Sequence, residues 1–192
     1  MKESPSLVHV YAEDTHYQFA ATTELADSYF GGPHSMRVRG VEHGPEAIHQ
    51  MVLLSPTDIP LLRRHHMCLP LLYGMRFSGC RMKYCITSFE NIEILEISPE
   101  KSSSSWPYPD YPKHLPYVQL ELKGSASATW QEFAEQFPNA PEEMLCDVFI
   151  AVPPPGNIGI SLWGRDGDLG LVNVVWEFDA NSKTVRAYNI CT

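Results

Sequence analysis

Five side chains able to ligate a soft metal fall in one stretch of the chain: His65, His66, Cys68, Cys80 and Cys85. Zinc needs about four such ligands converging tetrahedrally, so a stretch that folded back on itself here would make a zinc site. The spacing departs from the paired C-x2-C pattern of the strong zinc signatures. Reduced cysteine is also among the most buried residue types, so core thiols account for the same residues without any cofactor, and that reading is preferred.

Four further constellations bear on chemistry. Cys146 stands next to Asp147 at the head of an apolar run, and His114 lies upstream, so a cysteine nucleophile with a histidine base would require the two to meet in space. No glycine-framed nucleophile motif surrounds any cysteine, and a buried structural thiol is the simpler expectation. Asp166-Gly167-Asp168, after Trp163-Gly164-Arg165, offers paired carboxylates. It lacks the ligand pattern of a calcium loop and reads as a turn. Glu142-Glu143 reads as the start of a helical turn. Gly31-Gly32-Pro33-His34 is a lone glycine turn without the flanks of a phosphate loop.

Ser98 to Pro116 carries a different signal. It contains Trp106-Pro107-Tyr108-Pro109-Asp110-Tyr111-Pro112, in which spaced prolines favour extended backbone and remove amide donors. Aromatic rings on a stiff backbone offer contact area at small entropic cost, which suits recognition of a partner. The competing reading is a lid folded back over the core.

The elements that must position these residues are short. Leu7–Tyr11 and Tyr17–Ala20 read as strands joined by a turn at Glu13-Asp14-Thr15. Glu24–Tyr29 reads as a short helix stopped by Gly31-Gly32-Pro33, and Gly44-Pro45-Glu46 as the start of another that carries Ile48, Met51 and Val52. The stretch 59–84 resists assignment. Ile92–Ile97 reads as a strand whose broken alternation indicates a bulge, and Tyr117–Leu122 as a half-buried strand. Thr129-Trp130-Gln131-Glu132 has the form of a capping box, opening a helix with Trp130, Phe133, Ala134 and Phe137 on one face. Asp147–Val152 reads as a buried central strand, and Ile158–Leu162 as another. Val172–Phe178 and Thr184–Ile190 form a hairpin turning at Asp179–Lys183. The expected fold is one α+β domain over residues 1–192, with a mainly antiparallel sheet of about seven strands and two or three short helices.

The chain has 192 residues and a formal net charge of -9. That charge argues against nucleic acid as a partner, because phosphate binding needs a basic face and only Arg63-Arg64 is locally basic. No stretch has the length of a membrane span, no apolar leader follows Met1, and the five cysteines are an odd number, so the expected compartment is the reducing cytosol. Three functions follow in order of preference. The first is a protein-interaction domain, in its concrete form an immunity-like or antitoxin-like inhibitor that meets a basic partner through its acidic surface and the Trp106–Pro112 loop. The second is a small-molecule or carbohydrate-binding domain using Trp106, Tyr108, Asp110, Tyr111, Trp163, Asp166, Asp168 and Trp176. The third is a metal-dependent or cysteine-nucleophile enzyme.

Overall fold

The computed structural model describes residues 6–34, 36–41, 48–75, 80–88, 90–98, 113–154 and 172–191. The chain opens with a hairpin of β1 (Ser6–Ala12) and β2 (Thr15–Thr22). Its two loop residues, Glu13 and Asp14, both take positive φ, which matches the right-handed twist of the flanking strands. Then come β3 (Ser28–Phe30), β4 (Arg37–Arg39), β5 (His49–Leu54), helix α1 (Pro60–Arg64), β6 (Leu69–Tyr73), β7 (Arg81–Ser88) and β8 (Asn91–Ser98). The described chain ends with β9 (Val118–Ser127), helix α2 (Trp130–Ala134), β10 (Val148–Val152), β11 (Val172–Asp179) and β12 (Thr184–Cys191).

All twelve strands belong to one sheet, in the order β4-β8-β7-β12-β11-β10-β1-β2-β9-β3-β5-β6. Every pairing is antiparallel except β4 with β8. The sheet curls until the edge strand β6 lies against β12. Tyr84 of β7 and Trp176 of β11 fasten it there. The Tyr84 hydroxyl donates to the Pro70 carbonyl at 2.8 Å and accepts the Leu72 amide at 3.0 Å. The Trp176 indole donates to the Leu72 carbonyl at 2.8 Å. Proline is tolerated in β6 because a strand at the sheet edge has no neighbour to receive the missing donor.

The curl encloses the main core. Val8, Val10, Phe19, Phe30, Met51, Val148, Ile150, Trp176 and Phe178 point into it. On the opposite face of the central strands, Tyr11, Phe149, Ala151 and Val175 meet Trp130, Phe133 and Phe137 in a second, smaller core beneath α2. The alternation of side chains along β1, β10 and β11 is what feeds both cores from the same strands.

This architecture corrects the expected fold class. The described residues form a mostly β structure with twelve strands and two five-residue helices, where the sequence suggested an α+β fold with about seven strands. The helix expected at Glu24–Tyr29 is absent, because Ser28–Phe30 pairs between β9 and β5. Gly31 is a close-approach position there: its φ is +66°, and an added Cβ would sit 2.1 Å from the Pro116 carbonyl oxygen. The helix expected through Ile48, Met51 and Val52 is β5, and its first residues at 44–46 lie outside the described set. A strand buried on both faces reads as a continuous apolar run, which spacing alone does not separate from a helix. The unassigned stretch holds α1, β6 and the start of β7. The strand expected at Ile158–Leu162 lies outside the described residues.

Two local expectations hold. Thr129 and Glu132 form the capping box, with the Thr129 amide donating to Glu132 Oε2 at 2.7 Å. The bulge in β8 falls at Leu95, which the register skips and which is 48% exposed while Ile92 and Ile94 are buried.

Replacing Tyr84 with Phe keeps the ring and leaves the Leu72 amide and the Pro70 carbonyl without their partner. The expected loss is about 1–3 kcal/mol of unfolding free energy, read by urea denaturation. A change within about 0.5 kcal/mol, ordinary for a surface substitution, would show that the hydroxyl does not fasten β6.

Candidate functional site

Antiparallel connectivity brings several strand ends to one place. The β1–β2 turn supplies Glu13 and Asp14, the β11–β12 turn supplies Ala180 and Asn181, and the approach to β10 supplies Met144, Cys146 and Asp147. The last turn of α1 adds Leu61, Arg64 and His65, and Tyr11 with the α2 residue Trp130 closes the floor. Together they line an open groove of about 510 Å3.

Its walls are cross-braced. The Asp147 amide donates to the Phe178 carbonyl, and its carboxylate accepts the Ala180 amide at 2.8 Å, which ties the β11–β12 turn to the head of β10. The Tyr11 hydroxyl donates to Asp14 at 3.0 Å. Arg64 pairs with Glu13, joining α1 to the first hairpin. The Trp130 indole donates to the Pro141 carbonyl at 3.1 Å and holds the chain that follows α2 against it. Leu145, between the lining residues Met144 and Cys146 in the chain, is 86% exposed.

The electrostatics around Cys146 disfavour its thiolate. Burial, reinforced by the Glu177 and Asp147 carboxylates, pushes the Cys146 thiol up to about 12. A reactive thiol needs the opposite surroundings, with cations that favour the thiolate. Burial, with the Asp14 and Glu132 carboxylates, raises the Tyr11 hydroxyl to about 12, so it remains a donor at neutral pH. The lining carries the carboxylates of Glu13, Asp14 and Asp147 against one guanidinium, that of Arg64.

The residues singled out in the sequence are dispersed. Of the proposed metal ligands, His65 joins the groove, and His66 is exposed with a φ of 49°. Cys68 precedes β6, where burial and Asp27 raise its thiol. Cys80 is buried ahead of β7 and pushed up to about 12, and Cys85 places its sulfur 3.7 Å from the Ser182 carbonyl. Among the described residues, no three His, Cys, Asp or Glu side chains come together in a way that could hold a metal ion. His114 acts on His34, whose own ring meets the Met36 carbonyl. The Gly31 and Gly32 amides donate to the Met51 and Leu115 carbonyls, so that turn spends its donors internally. Glu142-Glu143 form a bend instead of a helical turn. Trp176 is in the main core. Trp106, Tyr108, Asp110, Tyr111, Trp163, Asp166 and Asp168 lie outside the described residues.

A second concavity, of about 680 Å3, lies on the outer face of β8, β7, β12 and β11. The register sets Glu96, Lys83, Arg186 and Glu177 in one row across the four strands. Lys83 pairs with Glu96 at 3.8 Å and Arg186 with Glu177 at 3.7 Å. Arg81 adds a third cation to this face, so it carries no acidic surplus, whereas the strand-end groove does.

Sequence reasoning placed both hairpin turns and missed that they meet. The signal available was the central position of the 147–152 run: a buried strand flanked by two hairpins puts their tips at one end. No family model, curated protein or solved structure matches this chain.

Iodoacetamide labelling at about pH 7.5, mapped by peptide mass spectrometry, checks the state of Cys146. The thiolate fraction implied by its surroundings is on the order of a thousandfold below that of a free cysteine, so labelling should be slower than in the denatured chain by a comparable factor. Labelling as fast as in the denatured chain would put a reactive thiol in the groove and revive a nucleophile there.

Proposed function

We propose that this protein is a non-catalytic recognition domain whose strand-end groove takes a basic segment of a protein partner. The observation that carries the reading is the set of Glu13, Asp14 and Asp147 carboxylates braced around one open groove, with the exposed Leu145 next in the chain to the lining residues Met144 and Cys146. A basic side chain entering the groove would meet carboxylates held on the β1–β2 turn and at the head of β10, and the exposed Leu145 would supply the apolar contact that charge alone does not. The chain's net charge of -9 steers such a partner toward it.

In its most concrete form the partner is an enzyme whose basic active site this end of the sheet covers, as an immunity protein or antitoxin does. On sequence grounds alone, Trp106, Tyr108, Asp110 and Tyr111 are assigned to the same partner as a second contact. The free thiols of Cys68, Cys80, Cys85 and Cys146 support a reducing compartment such as the cytosol. No helix among the described residues is long and apolar enough to cross a membrane.

A fluorescent peptide of alternating arginine, lysine and leucine, titrated by anisotropy, tests the groove. The double variant Glu13→Gln with Asp14→Asn removes two charges while retaining turn-compatible residues, since asparagine tolerates positive φ. The expected result is binding that weakens with salt and falls about tenfold in the double variant, equivalent to about 1.4 kcal/mol. Equal weakening by Glu93→Gln, on the distant strand β8, would reduce the effect to net charge and overturn the groove as the site.

A further inference from the structure

Two histidines meet under the α2 cover. His9 of β1 and His16 of β2 lie diagonally across the hairpin, with Nδ1 of His9 3.0 Å from Nε2 of His16. His16 is 5% exposed. Phe137 lies edge-on against His9, with ring centroids 5.2 Å apart, and Phe133 lies edge-on against His16 at 4.9 Å. The rings therefore form the floor on which the chain following Thr129 rests.

We propose that the His9–His16 pair is a two-proton latch that holds the Trp130–Ala140 cover against the sheet and releases it on acidification. A single N–H between the facing nitrogens satisfies both rings when the pair is neutral. Once both rings are protonated, both nitrogens carry hydrogens, and two donors cannot face each other at that distance.

Among the described residues, no carboxylate offsets the added charge. Beside the pair, Gln18 on β2 and Ala151 on β10 sit opposite His9, and Tyr11 on β1 and Ala126 on β9 sit opposite His16. On the cover, the Glu132 carboxylate is engaged by Thr129, and Glu135 is exposed. Asp14 is engaged by the Tyr11 hydroxyl, and on β9 Lys123 pairs with Glu121. Burial and the neighbouring ring hold His9 down at about 4, and burial lowers His16.

The sign follows from these shifts. The closed form binds fewer protons than the open form between about pH 4 and the ordinary histidine value of about 6.5. Closure is fully favoured above that window and is lost as pH falls through it.

The cover is the element that gives way. β1 and β2 are paired on both edges, whereas α2 has five residues and is held mainly by Trp130, Phe133 and Phe137. A helix that short has no stability of its own. Because Trp130 closes the groove floor, release would also dismantle the partner site. That consequence rests on the reading of the groove given above, while the latch does not.

Amide hydrogen exchange on the intact chain between about pH 4 and 7 tests the latch. The amides to follow are those of Gln136, Phe137 and Ala140, which donate within the cover, with the β10–β11 ladder as internal reference. After correction for intrinsic rates, opening of the cover should steepen toward about two decades per pH unit below about 6.5, while the reference stays protected. His9→Gln should cut the slope to about one decade, and His16→Gln repeats the test should the first variant fold poorly. A flat profile, opening that tracks the reference, or an unchanged slope in the variants would overturn the latch. In a second arm the basic peptide is titrated at about pH 7 and 5, where the wild type should lose more affinity than His9→Gln. A working latch with equal losses in both proteins would leave the latch standing and remove its control of the groove.

Discussion

The outer edge of β6 presents backbone groups that would lie unpaired in the middle of the protein, and two aromatic side chains satisfy them. Tyr84 and Trp176 reach from β7 and β11 to the Pro70 carbonyl and to both polar groups of Leu72. An unpaired buried amide costs free energy comparable to a lost hydrogen bond, so the sheet closes where these groups meet. Once it has closed, the inward residues of the strands share one core. Edge strands ordinarily need charge or covering against unwanted pairing, and here the protein's own side chains complete the edge.

Closure also decides what the outer face can do. With the inner face committed to the core, the central strands keep their second face for the α2 cover and the outer strands keep theirs for the charged row of Glu96, Lys83, Arg186 and Glu177. The hairpin tips at one end are left as the place where carboxylates gather without enough cations to neutralise them. Cys146 and Tyr11 stand at that place in protonated form, Cys146 because burial and nearby carboxylates both disfavour its anion. The same placement that weakens nucleophilic chemistry strengthens attraction for a basic ligand.

Local features were legible in the sequence. The Thr129–Glu132 capping box, the Glu13-Asp14 turn, the bulge at Leu95 and the 172–190 hairpin all follow from side-chain chemistry acting over a few residues. The errors have a common cause. Ser28–Phe30 and His49–Leu54 are strands because distant strands pair with them, and nothing local distinguishes them from helix. His49 and Gln50 are buried polar residues whose place is set by the tertiary fold, with the Gln50 amide donating to the Gly31 carbonyl. The groove was hidden for the same reason, since Asp14, Asp147 and Asn181 meet only through strand order. The histidine pair was likewise invisible, because a diagonal contact across a hairpin depends on register.

The central claim is that the strand-end groove is where a basic partner sits. A two-dimensional amide spectrum of isotopically labelled protein, recorded while a basic peptide is added, tests it most directly. Resonance shifts concentrated at Glu13, Asp14, Leu145, Asp147 and Asn181 are expected, with the β7, β8 and β12 face unmoved. Shifts centred on Lys83, Glu96 and Arg186, or spread evenly over the acidic residues, would contradict it.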